Sequence, residues 1–239
     1  MRATIRDCLD TMTIKIDDNG WAAHSIWQHS ADLFELYRRR ARDEAEEMTC
    51  AAQAAELISE LARPGESLLD AGCGTGYFFH SLRRRGIALD YHGIDATARF
   101  IAAGCSELAA FGLPGDRLRT LRIEDFQGSA DHVLCMNVLS NVDNYHRPLE
   151  RLLKAARRSV ILRESIKEGS SYSYVRDNFI DPDVNLHVHV NAYDRSELAA
   201  FIERYGFAAR EVADRRSGGQ PEMVIGHPHH WTFLVATRR

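Results

Sequence analysis

The chain of 239 residues lacks any apolar run long enough to span a membrane. Its first twenty residues carry Lys15, Asp17 and Asp18 in place of a secretory apolar stretch. Together these absences point to a cytoplasmic protein without a membrane partner. Cysteine is sparse. The five thiols (Cys8, Cys50, Cys73, Cys105 and Cys135) are odd in number and have no paired spacing. That excludes a disulfide framework and leaves no cysteine/histidine cluster with zinc-ligand spacing. An excess of positive charge is missing as well: 34 acids against 30 Lys and Arg leave a net charge of −4. General binding to nucleic acid or anionic lipid is therefore not expected. Internal repeats and low-complexity segments are absent. What remains is an ordinary globular composition, 45% hydrophobic and 27% charged. The length suits one α/β domain with a large core, or such a domain with a cap.

Periodicity divides the chain. Leu33, Leu36 and Tyr37, then Leu57, Ile58 and Leu61, recur at helical spacing and predict one or two amphipathic helices over 32–61. Arg63-Pro64-Gly65 stops them. Short buried strands are predicted over 67–69, 91–94, 118–123, 132–136 and 160–163, with helices over 77–85, 98–111, 148–156 and 196–204. Two last strands, over 207–214 and 232–237, read as a hairpin. Alternating strands and helices imply a Rossmann-like, doubly wound, mostly parallel seven-stranded sheet with an antiparallel edge strand. Residues 1–62 form an N-terminal helical segment or lid, and 63–239 the α/β domain. Within that domain, 164–192 is polar and aromatic with weak periodicity, too long for a plain connection, and reads as a cap inserted after strand five.

Residues 67–79 carry the most information. An apolar strand ends in Asp70, and Gly72, Gly74 and Gly76 alternate through a tight turn into an aromatic helix. Such a loop lets a ligand meet backbone at a helix N-terminus. A dinucleotide fold asks for G-x-G-x-x-G around a pyrophosphate. Here the pattern is D-x-G-x-G-x-G, and an acid before the first glycine suits a cationic, amino-bearing ligand instead. Asp95 closes the second strand 25 residues later, where a carboxylate can accept two ribose hydroxyls or can serve as a helix cap. Strand three leads into Ile123-Glu124-Asp125-Phe126, and strand four into Met136-Asn137-Val138-Leu139-Ser140-Asn141.

These four motifs, in this order over about residues 50–165, together with Gly206-Phe207 and the terminal strand, resemble the class I S-adenosylmethionine (SAM) methyltransferases. Asn141 stands where that family often has histidine. The resemblance implies SAM as cofactor and S-adenosylhomocysteine (SAH) as product. It places Asp70, Gly72, Cys73, Gly74 and Gly76 in the cofactor loop and Asp95 and Ala96 at the ribose. Glu124 or Asp125 would meet the adenine amine, with Phe126 beside the ring, and Met136 and Asn137 would follow strand four. Tyr37, with Arg40, would serve the methionine carboxylate or be structural, and Arg38–Arg40 as a run reads as a solvated face.

The acceptor is expected above the C-terminal strand ends. Asn137, Tyr174, His187 and His189 are the catalytic candidates there. His187 and His189 share one strand face, one as base or both as structure. Asn141, Tyr145, His146, Arg163, Glu164, Tyr172, Asp177 and Asn178 complete the neighbourhood. Trp21, His24, Trp27 and His29 can close over it or pack the helix. A compact small-molecule acceptor is the expected partner, with the protein a monomer or homodimer. One alternative is a SAM cyclase that makes azetidine-2-carboxylate and methylthioadenosine in a small, dry aromatic site. In it Tyr174 would hold the sulfonium and Asn137 orient the amino-acid end. Another is an RNA or protein methyltransferase using Arg83, Arg84, Arg85, Arg157 and Arg158 as a basic stripe. Strand four has neither an [N/D]-P-P-[Y/F] segment nor a Pro-Cys pair, which disfavours base methylation. His227, His229 and His230 suggest a metal at first glance, but they sit between a turn and a strand, and no metal is assigned.

Overall fold

A computed structural model describes residues 26–180 and 185–239; Cys8, Trp21 and His24 lie outside the described residues. The described chain opens with α1 (Ile26–His29) and α2 (Ala31–Ala41), whose N-cap Ser30 accepts the Leu33 amide at 3.1 Å. Helix α3 (Thr49–Ser59) presents Ala51, Ala54, Ala55, Leu57 and Ile58 as one buried face. That face joins the core cluster of the sheet, so this helix is part of the domain core rather than of a detachable lid.

The α/β alternation then follows as β1 (Ser67–Ala71), α4 (Phe78–Arg84), β2 (Asp90–Asp95), α5 (Ala98–Leu108), β3 (Leu118–Thr120), β4 (Ala130–Met136), α6 (His146–Ala155) and β5 (Ala156–Lys167). Next come β6 (Tyr174–Arg176), β7 (His187–His189), β8 (Tyr193–Asp194), α7 (Arg195–Arg204), β9 (Phe207–Ala213), β10 (Glu222–Val224), β11 (His227–His229) and β12 (Trp231–Arg238). The main sheet runs β3-β2-β1-β4-β5-β12-β9, with β8 added beside β5. Pairing is parallel from β3 to β5, while β12 is antiparallel to both β5 and β9. The antiparallel strand of the expected fold is thus the terminal one, and it lies one place in from the edge. It suits that position because Phe233 and Val235 are buried on one face and Leu234 and Ala236 on the other, which an edge position does not require. Helices α3, α4 and α5 cover one face and α6 and α7 the other.

Three expected boundaries move. The third strand is only three residues long, because 123–125 coils into a 3₁₀ turn. The fifth strand is much longer than 160–163. Glu164 and Ser165 stay in register with Thr232 and Trp231, so the cap begins after Lys167, not at residue 164. Polar residues at the strand's end hid that continuation. The last two strands are not joined by a tight turn, since the β10–β11 ribbon intervenes. That ribbon, the β6–β7 ribbon of the cap and α1 meet in a small separate core of Ile26, Leu186, Val188 and Val190, flanked by Trp27, Ile180 and Ile225. This cluster forms a roof distinct from the two sheet faces.

Candidate functional site

The strand order reverses between β1 and β4, and the glycine loop leaves β1 beside that switch point. The Gly72 and Cys73 amides both donate to Ile94 O, at 2.8 and 3.0 Å, which pins the loop to the end of β2. Gly74 has φ +58°, and a Cβ there would lie 2.6 Å from the Tyr37 ring. The protein neighbour that this glycine accommodates is Tyr37 of α2. Helix α2 is tied down further by Thr75 Oγ1, which donates to Tyr37 O at 3.0 Å, and by Tyr37 stacking on Phe100 of α5 at 4.9 Å. Cys73 is buried in the core, as a packing residue, with its thiol pushed well up by burial.

Two acids flank this loop. Asp70 is 4% exposed and accepts the Tyr91 hydroxyl at 2.7 Å. Burial, aided by the charge of Asp95 and opposed by that hydrogen bond, pushes its carboxyl up to about 7. Asp95 takes the Gly74 amide at 2.9 Å on one oxygen and the Thr97 amide at 2.7 Å on the other, and burial raises its carboxyl too. Asp95 is thus not the N-cap of α5, a position Thr97 occupies; its carboxylate instead ties the residue that opens that helix to the glycine loop. Two desolvated acids within one electrostatic neighbourhood favour a cation. Across the loop, Arg40 lies over the rings of Tyr37 and Tyr77 at 5.1 and 5.4 Å, with its Nε buried and without a hydrogen-bond partner among the described residues. A cofactor carrying a sulfonium, an ammonium and a carboxylate matches these charges, so the residues present fit SAM.

On the β3 side, Glu124 pairs with Arg122 at 3.1 Å, Asp125 is exposed, and the Phe126 ring is buried in the core. The Phe126 amide donates to Ile123 O at 3.2 Å inside the 3₁₀ turn. Ala96 is half-buried between the Asp95 and Thr97 positions.

After Met136 the chain turns sharply at Asn137, which has φ +60°. Its amide donates to Arg163 O at 2.8 Å, and its own carbonyl accepts Asn141 Nδ2 at 2.8 Å. Glu164 underlies the turn. Fully buried, it accepts the amides of Val138, Leu139 and Ser140 and the Ser140 hydroxyl, at 2.8–3.1 Å. The acid expected to face an acceptor is thus spent on backbone, with its carboxyl still raised by burial. The cap is fastened to the same turn. The Asn191 amide donates to Ser140 O, Asn191 Nδ2 donates to Val142 O at 2.7 Å, and the Tyr193 hydroxyl donates to Leu139 O.

Arg163, 3% exposed, reaches the other face. Its Nε donates to Asp214 at 2.7 Å, a second nitrogen donates to Asn137 Oδ1, and the guanidinium lies over Trp231 at 4.5 Å. Burial works to raise the Asp214 carboxyl, but the bond and charge of Arg163 outweigh it and leave it low. Sequence reasoning missed Asp214 and Trp231. An acid at a strand's C-terminal end, as at Asp70 and Asp95, was the available signal for the first.

The remaining candidates assemble elsewhere. Tyr174 packs against His187 and His189 at 5.1 and 4.5 Å on one face of the cap ribbon, while Val188 turns the other way into the roof. Burial lowers His189, with Asp143 opposing. These three meet one another rather than Asn137, whose side chain is bonded to Arg163. Tyr174 is 57% exposed, and Tyr172 and Phe179 are exposed too. This corrects the dry aromatic box expected of a cyclase: the rings line an open surface. Trp27 packs under the roof. Among the described residues no cluster of three or more His, Cys, Asp or Glu is placed to hold a metal, and no helix is long and apolar enough to cross a membrane.

Comparison with known proteins bears on this geometry. A family model described as a methyltransferase domain matches residues 37–212. No curated protein matches the sequence. Among solved structures, magnesium protoporphyrin IX methyltransferase from Synechocystis PCC 6803 with bound SAM superposes with a TM-score of 0.59 at 15% identity, over 95% of this chain and 99% of that one. The CcbJ methyltransferase from Streptomyces caelestis gives 0.59 at 12% identity, over 90% and 99%. A glycopeptide N-methyltransferase complexed with SAM gives 0.55 at 11%, over 80% and 94%. The chain belongs to the class I SAM-dependent methyltransferase family.

Proposed function

We propose that this methyltransferase acts on a small-molecule acceptor held above the ends of β4, β5 and β12, under the roof. The observation that carries this reading is the state of the arginines. Arg84 pairs with Asp43, Arg85 with Glu47 at 2.7 Å, Arg157 with Asp131 at 3.5 Å and Arg158 with Glu66. Arg83 lies over Phe79 and Phe111. The basic stripe that an RNA or acidic-protein substrate would need is consumed by local acids, and the net charge is −4.

In this reading SAM, when bound, supplies a methyl group already activated by its sulfonium. The protein's own residues bind, align and exclude water. Asp70 and Asp95 hold the cationic and ribose portions, and Arg40 with Tyr37 takes the carboxylate. Glu124 or Asp125 and Phe126 serve the adenine, and Met136 and Asn137 line the way to the acceptor. Asn137 is kept in its left-handed turn by Glu164 below and Arg163 beside it.

The test is to incubate the full chain with isotopically methyl-labelled SAM and three fractions of a cell extract: molecules below about 1 kDa, RNA and protein. SAH formation with label in the small-molecule fraction is the expected result. Label in RNA or protein, or methylthioadenosine formed from SAM alone, overturns the reading.

A further inference from the structure

The H-P-H-H segment holds no metal cluster, yet it carries the least satisfied polar side chain of the acceptor half. His229 is 2% exposed, and neither ring nitrogen has a hydrogen-bond partner among the described residues. Buried imidazoles are normally bonded at one nitrogen or both, so an orphaned pair calls for an explanation. Strand alternation places the residue. Phe233 and Val235 lie on the face covered by α3, alternation along β12 puts Trp231 on that face too, and His229 at the end of β11 joins it, while the intervening His230 amide donates to Ser165 Oγ at 2.9 Å. His229 therefore extends that face past the C-terminal end of the sheet. It stacks on Trp231 at 4.5 Å with the rings 5° apart. Trp231 also carries Arg163, which is bonded to Asn137. An unbroken line of contacts thus runs from the turn after β4 to an unpartnered imidazole.

We infer that His229, rather than His187 or His189, contacts the acceptor, and that the acceptor presents a hydroxyl. This rests on the methyl-transfer reading above. A neutral imidazole accepts at one nitrogen and donates at the other, so it can orient an O–H. Its charge state suits that role. Burial, then the nearby His227, Arg163 and His230, pushes it down to about 4, and it stays neutral through the physiological range. Asp214 faces this group only through Arg163, which holds it. Arg163, though paired with Asp214, is the permanent cation beside the imidazole, and it disfavours an ammonium acceptor. When SAM is bound, the S–C electron pair stays with sulfur as the methyl departs. The acceptor oxygen gives a lone pair to the new C–O bond, becomes strongly acidic, and passes its proton to the free nitrogen of His229. The imidazolium returns that proton to solvent when product leaves.

The test uses the full chain labelled with ¹⁵N in its histidine rings and backbone, loaded with SAH, with phenol as probe. The Gly74 amide is read first. If SAH does not shift it, the methyl-transfer reading itself fails, and the fault is not in the His229 assignment. With Gly74 shifted, phenol is expected to move the His229 ring nitrogens and leave those of His187 and His189 in place. Benzylamine, a cation at neutral pH, is expected to move none of them. His229→Gln is expected to lower anisole formation from phenol and SAM at least tenfold while SAM affinity stays within twofold. Response at His187 or His189 instead, response to benzylamine, or no histidine response to phenol overturns the inference. The wild-type spectra decide the matter even if the variant folds poorly.

Discussion

The two ends of the cleft are built with opposite polarity. Around the glycine loop, buried Asp70 and half-buried Asp95 are acids whose donors are a tyrosine hydroxyl and backbone amides rather than cationic side chains. Around β12, the buried cation Arg163 is fully engaged, and the orphaned group is a neutral imidazole. One end is short of positive charge and the other of a hydrogen-bond partner. Desolvation makes both deficits costly, so a ligand that answers each is favoured there. The difference teaches which partner belongs where: the cation at the loop, the neutral polar acceptor beside β12.

The comparison is broken most severely by removing Arg163. Arg163→Met leaves Asp214 buried and unpaired, and a loss of about 3–5 kcal/mol is expected in urea denaturation. Arg163→Met with Asp214→Leu should recover much of it, because both charges are then gone. At the other end, Gly74→Val forces a β-branched residue to φ +58° against Tyr37. Its SAM affinity is expected to fall well over tenfold by calorimetry, because α2 must shift away from the loop. Asp95→Ala removes a charged hydrogen-bond acceptor worth about 1.5–3 kcal/mol. That corresponds to roughly ten- to a hundredfold in SAM affinity. The fold is expected to remain intact by circular dichroism, and unchanged affinity would rule out the ribose assignment.

Stability against pH sharpens the contrast. Asp70 has its folded carboxyl at about 7 against an ordinary 3.8, so between those values the folded chain holds the extra proton and Asp70's contribution falls as pH rises. His229 is lowered to about 4 from 6.5, so there the unfolded chain holds the extra proton and stability rises with pH across that window. Urea midpoints from pH 5 to 8 should lose the falling component in Asp70→Asn and the rising one in His229→Gln. The smallest effect is expected at the cap surface, where Tyr174→Ala should change stability by about 0.5 kcal/mol or less and leave SAM affinity alone.

The loop end was legible in the sequence because its parts are local. A strand, an acid, alternating glycines and a helix lie within thirteen residues, and Asp95 closes the next strand. The β12 end is assembled over long separations: Asn137, Arg163, Asp214 and Trp231 meet only once the terminal strand inserts beside β5. Nothing in the spacing of 207–239 specifies that insertion. Glu164 shows the same limit in reverse. In sequence it is an acid opening a polar stretch, and only the pairing of Glu164 with Thr232 and the amides of the turn after β4 show it to be internal. His187 and His189 share a face as expected, but which ribbon face meets the roof is set by Val188 and Ile26, a tertiary contact.

The most direct measurement of the central claim is calorimetric titration of SAM into the full chain at pH 6, repeated in buffers of different ionisation enthalpy. At that pH Asp70, with its carboxyl at about 7, is largely protonated, and a cation bound beside it should drive that proton off. Binding with net proton release, diminished in Asp70→Asn, is the expected result. Binding without proton release, or no binding, would contradict the assignment of the acidic loop to the cationic cofactor.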